Sequence, residues 1–356
     1  MEAIQKQLTD KLLSSKLERY PASLFHGKTG LSIYFFYLSR IESNPAYYAF
    51  ADKLLDQVLL YDLSKNHSID MEDGLAGVGL GVTWLVKNRF IEADLNELLQ
   101  VIDDAIFRRI AFQNDASNVL AIQLLHLTGY LYVRLKDSTI ETDNDPSLQK
   151  DLIIKTMNQL YPKIDDDFLN ESYTFSVYHY QLPVLLWVIG KLLDAGFYND
   201  RIYKMLDELK PRILSRFPLL HSNRLFLLWG MLNLKPFLHD DHARWNSYIR
   251  LLHREIDLDE ILKNEMTDRK IFVDNGLSGI YLLLHTINKT FPDYPIPFDP
   301  QTIYDRVQNS DAWKTMLERD YFYQIRHGLF NGFPGVGLVL AHIENSYELR
   351  VKSYKQ

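Results

Sequence analysis

The 356 residues contain no cysteine. That excludes disulfides, thiol nucleophiles and every thiolate metal site. Basic charge is in short supply: 39 Lys and Arg against 46 Asp and Glu give a net charge of −7, which argues against general nucleic-acid binding. No like-charge run marks an interaction tail. Long hydrophobic runs are also missing. The longest, Leu182 to Ile189, is far below the roughly 20 residues a membrane span needs. The opening MEAIQKQLTDKLLSSK reads as an amphipathic polar helix without the apolar centre of a signal peptide. These absences lead to the expectation of a soluble, cytoplasmic chain with no membrane span.

What is present is enough apolar matter for a large core, 47% of residues with 13% aromatic, and a phrase said several times. The stretch from Ile325 to Ile343 reads IRHGLFNGFPGVGLVLAHI, with Gly332 and Gly335 three apart at the head of an apolar segment. Related phrases start at His26 (HGKTGLSIYFFYL), Glu72 (EDGLAGVGLGVTWLV) and Asp274 (DNGLSGIYLLLHTI). Such self-similarity signals a repeat architecture.

The interval extends the pattern. Gly27 and Gly74 stand 47 positions apart, and one further step predicts an apolar helix near residue 121, where VLAIQLLHLTGYLYVRL lies. A fourth apolar segment, YHYQLPVLLWVIGKLL, and a fifth, NRLFLLWGMLNL with Gly230, follow; Gly276 comes 46 residues after Gly230. Between them the spacing predicts amphipathic helices at 4–16, 46–62, 94–112, 147–161, 199–216 and 301–319, with Asn44-Pro45 and Asp94 as helix starts. A polar connection is expected over 136–146, and Asp165 to Asp167 reads as a solvated loop.

Seven apolar helices alternating with seven amphipathic ones predict an all-α protein, and the apolar helices need cover on every side. The expected architecture is a closed α/α toroid, a single domain over 1–356. Glycines at the helix starts allow close backbone approach. They do no chemistry. If all the apolar helices start at one end, unpaired amides and positive dipole ends would favour an anion there. The residues just before each motif would then line a cavity mouth: His26, Asp70 to Asp73, His179, Tyr180, Arg224 to Trp229, Asp274, Asn275 and Asn331.

On these motifs, two reading GLAG and GLSG, the chain resembles the lanthionine synthetase C-like family across its whole length. That resemblance implies a seven-fold α toroid. It also implies a role in modifying a ribosomally made peptide, in which active members use one zinc to activate a cysteine thiolate for thioether formation. The family's metal ligands come from a Cys-Tyr-Gly and a Cys-His-Gly; the matching positions here read Leu228-Trp229-Gly230 and Asp274-Asn275-Gly276. The ligand set is gone, so neither metal nor other cofactor is expected. A family aspartate four residues before a motif glycine matches Asp70. An arginine six before the Cys-Tyr-Gly glycine matches Arg224. A histidine of a middle motif falls at Tyr180, beside His179.

Asp70, His179, Tyr180 and Arg224 are therefore the candidate catalytic residues. His26, Asp73, Trp229, Asp274, Asn275 and Asn331 are the candidate binding residues. The bland alternatives are helix capping for the acids, an internal ion pair for Arg224 and hydrogen bonding at a helix start for His26 and His327. The Asp70-x-Glu72-Asp73 spacing lacks the continuation of an EF-hand, so a hard-cation site is disfavoured. Three functions follow. One is a family member without zinc chemistry that binds a peptide substrate or a peptide-modifying partner enzyme. Another is a zinc-free acid–base enzyme using Asp70, Tyr180 or His179, and Arg224. The last is a carbohydrate-active toroid with Asp70 and Asp274 as paired carboxylates.

Overall fold

The computed structural model describes residues 3–15, 20–63, 68–112, 119–141, 146–238, 242–319 and 326–353. Lys16, Ile325 and residues 142–145 of the polar connection lie outside them. Every regular element among the described residues is helical, and no helix there is long and apolar enough to cross a membrane. Packing divides the chain into two compact units. Met1–Ile102, Met266–Leu282 and Phe298–Gln356 form the first, Asp103–Glu265 and Leu283–Pro297 the second.

The first unit holds the four well-kept glycine motifs. Each one starts a helix: Lys28–Ile41, Leu75–Lys87, Leu277–Thr290 and Phe333–Ser353 begin immediately after Gly27, Gly74, Gly276 and Gly332. Around them lie Ala3–Ser14, Pro45–Gln57, Pro300–Asn309 and Asp311–Glu318. Leu31, Tyr34, Phe35, Val78, Val82, Ile280, Trp313 and Val336 are fully buried in this core. A buried side chain of Leu or Phe size contributes about 1.5–3 kcal/mol relative to exposure. Asn44 caps Pro45–Gln57 through its side-chain oxygen, with Pro45 in the first turn, as its sequence predicts. The expected helix over 301–319 is two helices. It breaks at Ser310, whose hydroxyl caps the second by accepting from the Trp313 amide.

The second unit carries the apolar helices whose motifs have decayed: Ala121–Glu141, Gln181–Ala195 and His221–Leu234. The first of these begins where the 47-residue interval placed it. Amphipathic helices Ser147–Leu160, Asn199–Leu214 and His242–Arg254 alternate with them. A partly buried charge cluster ties Ala121–Glu141 to the preceding helix, Leu95–Phe112. The Arg134 guanidinium donates through Nε and Nη2 to Asp103 at 2.9 and 2.8 Å, and the Tyr130 hydroxyl donates to the other Asp103 oxygen at 2.5 Å.

Candidate functional site at the helix N-termini

The first turn of an α-helix leaves backbone amides without partners inside the helix. In the first unit the preceding loop supplies those partners by one rule. The amide of the first helical residue donates to the carbonyl seven residues back: Lys28 to Pro21 (2.8 Å), Leu75 to Ser68 (2.9 Å), Leu277 to Lys270 (3.0 Å) and Phe333 to Arg326 (2.9 Å). A second bond of the same span follows in three of the four, Thr29 to Ala22, Gly77 to Asp70 and Ser278 to Ile271. In the fourth, Pro334 occupies the second helical position and has no amide to satisfy.

This clasp needs glycine. A β-carbon at Gly30, Gly77 or Gly335 would overlap the carbonyl oxygen six residues earlier, of Leu24, Met71 and Leu329 respectively. The clasp also corrects the expectation of anion-seeking amides at these helix starts. The amides that bond the loop's own carbonyls are not free for a ligand.

Asp70 belongs to the same device. Its Oδ1 accepts from the amides of Asp73 (2.8 Å) and Gly74 (3.0 Å), and its Oδ2 accepts from the Ser68 hydroxyl. Both oxygens are engaged in holding the loop, the role of a capping residue. Asp73 is exposed. The neighbouring acid is used differently: Glu72 Oε1 lies 3.0 Å from Nε2 of His26, each side chain one-third exposed.

The loops of the first unit also hold one another. Phe25 stacks on Phe330 at 3.9 Å and Tyr20 on His327 at 3.8 Å. The Phe25 amide donates to the Glu72 carbonyl and the Asp274 amide to the Phe330 carbonyl. Asp274 is 5% exposed, while Asn275 and Asn331 are half-buried. The Asn331 amide oxygen is shielded from solvent and has no hydrogen-bond partner among the described residues.

In the second unit side chains do what glycine loops do in the first. Helix His221–Leu234 receives two carboxylates. Glu265 accepts from the amides of His221 (2.6 Å) and Ser222 (2.9 Å), and Glu171 accepts from Leu219 (2.5 Å) and from Asn223 Nδ2 (2.8 Å). An anion does sit at this positive helix end, as the dipole favours, but the protein supplies it.

Arg224 is inside this helix rather than before it, a correction to its expected place. Its guanidinium donates to three main-chain carbonyls, of Pro218 (2.7 Å), Glu255 (2.9 Å) and Leu219 (3.1 Å), and packs over the Phe217 ring. His221 Nδ1 lies 2.9 Å from the Asp257 amide, which donates to it, and 3.0 Å from the Glu255 carbonyl.

Leu228 and Trp229 are likewise mid-helix. The reason is Gly230: it starts nothing, but lets His221–Leu234 press against the backbone of Pro183 in the neighbouring apolar helix. Leu228 is 0% exposed. Trp229 is half-buried and stacks on Phe226 (5.6 Å) and Trp187 (6.3 Å).

His179 and Tyr180 precede Gln181–Ala195 as expected but part company. His179 is exposed, with its amide held by the Ser176 hydroxyl at 3.0 Å. Tyr180 is 1% exposed, edge-on to Phe226, and burial pushes its phenol well above the ordinary tyrosine range. A phenol held neutral in the core is a packing residue and a poor general base.

Glu171 and Glu265 are the residues the motif pattern missed, and the pairing of Glu72 with His26 was not read from it either. A signal for them existed in the repeat period. His26 and Glu72 are 46 apart, Glu171 and Leu219 48, and Glu265 and His221 44. Successive repeats bond at about the repeat length.

No family model matches the chain, and no curated protein matches it. Among solved structures the match is clear: one named "Nisin cyclase" aligns over 96% of this chain and 93% of that chain, with a TM-score of 0.59 at 14% identity. This chain has the nisin cyclase fold. The all-α toroid class read from the glycine repeats is therefore the right one.

The fold family implies zinc, and the residues here do not fit it. A catalytic zinc needs about three protein donors plus an open position. The chain has no cysteine in any register, and before Gly276, where the motif glycine does start a helix, it offers Asp274 beside Asn275. Among the described residues no group of three or more His, Cys, Asp or Glu side chains is placed to hold a metal ion.

Proposed function

We propose that this chain is a lanthionine synthetase C-like protein of a peptide-modification system that binds its peptide, or the partner enzyme carrying it, without zinc-dependent thioether chemistry. The observation that carries the reading is the lack of cysteine. The nisin cyclase fold spans nearly the whole chain, yet no register of the helices can supply the family's cysteine ligands, because the chain has none. The half-buried rings of Trp187 and Trp229 support the binding part, since tryptophan dominates the energetics of protein contacts.

The zinc-free acid–base alternative has less support. Asp70 and Arg224 are committed to their own loops and Tyr180 to the core. A paired-carboxylate mechanism loses Asp70 for the same reason.

Two measurements on the purified protein test the proposal. Metal analysis should find far less than one zinc per chain. A dehydrated, cysteine-containing precursor peptide should bind saturably, read by tryptophan fluorescence, while its free thiol survives incubation with added zinc. Stoichiometric zinc with thiol consumption would establish a cyclase and overturn the loss of chemistry. Absence of saturable binding to either the peptide or its dehydrating enzyme would overturn the binding role.

A further inference from the structure

We propose that a pocket at the C-terminal ends of helices Lys28–Ile41 and Leu75–Lys87, in the first unit, binds a small carboxylate that carries an aromatic ring. Tyr37, Arg40, Trp84, Asn88, Phe90 and Asn345 line it, and it encloses about 280 Å³. Sites for drug-sized ligands run from roughly 300 to 1,000 Å³, so this one has room for a single ring with its acid group. The glycine clasps hold the opposite ends of these helices, and no clasp residue takes part.

The charge of the ligand follows from Arg40. No other lining residue is charged. Its Nη2 donates to the Asn88 and Arg89 carbonyls, both at 2.8 Å, and its guanidinium carbon lies 3.5 Å from the centre of the Phe90 ring. The helix-end carbonyls, which would repel an anion, are thus covered, and the cation is fixed in place. Arg89 is left-handed at φ 57°, a conformation uncommon outside glycine and kept where surrounding contacts impose it. Arg40 supplies one of those contacts. Its Nη1 and Nε make no hydrogen bond among the described residues. A carboxylate would complete them with a charge-assisted bond.

The ring follows from the walls. Trp84 stacks on Phe90 with centroids 5.3 Å apart and keeps 38% of its surface exposed. Tyr37 is half-buried, its hydroxyl 3.1 Å from Nδ1 of His342. A ligand ring against such faces gains aromatic contacts beyond the area it buries. Asn345 is half-buried too, and its side-chain amide makes no hydrogen bond among the described residues, which offers the carboxylate a second donor. A free aromatic acid and the last residue of a polypeptide share this chemistry.

Isothermal titration calorimetry of the full chain with N-acetylphenylalanine, which carries both the acid and the ring, tests the site. The controls are its neutral amide, which lacks the charge, and N-acetylalanine, which lacks the ring. The probe should bind at least about tenfold more tightly than either control. Asn345→Asp sets a carboxylate in the pocket at nearly unchanged size, in a side chain with no hydrogen bond to lose. It should weaken binding at least about tenfold while circular dichroism shows the same helical fold. Trp84→Leu should weaken the probe several-fold and leave N-acetylalanine unaffected. A decapeptide ending in phenylalanine separates the two sources: affinity equal to the probe's assigns the pocket to a polypeptide terminus, and loss of binding assigns it to a free acid. Equal binding of acid and amide, wild-type affinity in Asn345→Asp, or no binding of the probe at millimolar concentration would overturn the proposal.

Discussion

The two units solve one problem by different chemistry. Both contain apolar helices whose leading amides must be satisfied. In the first unit the loop's own backbone answers, folding over paired glycines so that carbonyls seven residues back meet the first turn. In the second, Glu171 and Glu265 reach in from elsewhere in the sequence. The backbone solution tolerates no side chain at its glycines, so it leaves a motif. The side-chain solution frees those positions to vary and hides itself. Decay of the Gly-x-x-Gly phrase in the middle of the chain is therefore a change of capping method, with the helices kept.

The largest expected effect tests the backbone clasp. Gly335→Ala places a β-carbon into the Leu329 carbonyl and should cost more than about 3 kcal/mol, the upper range for overpacking. Urea denaturation measures it, and a cost below about 1 kcal/mol would show that the glycine is dispensable. Next comes the side-chain solution. Glu265→Ala removes a carboxylate holding two amides and should cost about 2–3 kcal/mol, with Glu265→Gln losing less. If the alanine variant is as stable as wild type, the capping comparison fails.

A smaller, pH-dependent effect comes from buried phenols, which are raised in both units and most strongly in the second. Burial first, and for Tyr130 the adjacent Asp103 second, raise the phenols of Tyr130 and Tyr180 well above 10.0. Tyr248 is raised by burial as well. All three lie in the second unit. A raised folded pKa means the unfolded chain releases its protons first. Their contribution is thus complete below the unfolded value and lost as pH climbs through the folded one. The urea midpoint should fall above about pH 10, and Tyr130→Phe should reduce that slope. An unchanged slope in Tyr130→Phe would remove this tyrosine from the account. The smallest effect has the opposite sign. Gly129 sits mid-helix where a β-carbon would make ordinary van der Waals contact, its nearest neighbour at 3.5 Å, so Gly129→Ala should stabilise by up to about 1 kcal/mol.

The fold was legible because its constraint is written in glycine at a fixed interval, strong enough to place the helix beginning at Ala121 where no glycine pair remains. Register failed where a glycine changed jobs. Gly230 packs helix against helix, so a reading that treated it as a helix start put Arg224 and Trp229 in a loop when both are helical. The candidate site was less legible for a different reason. Sequence places Asp70 before a helix start correctly and Arg224 within one turn of its true place, but which way a side chain turns depends on competing partners. Here the competing partners, loop amides and carbonyls, are closer than any ligand.

The seven-residue clasp also bears on how the chain folds. Starting a helix is the unfavourable step, since several residues must be fixed before the first bond is returned. A loop that closes on the first turn from seven residues away does so with little loss of chain entropy. Each glycine phrase thus carries its own helix nucleus, formed from contacts local in sequence, and local contacts favour rapid folding. The first unit has four such nuclei. The second, whose caps come from more than 40 residues away at Glu171 and Glu265, must bring distant segments together before its corresponding helix is sealed.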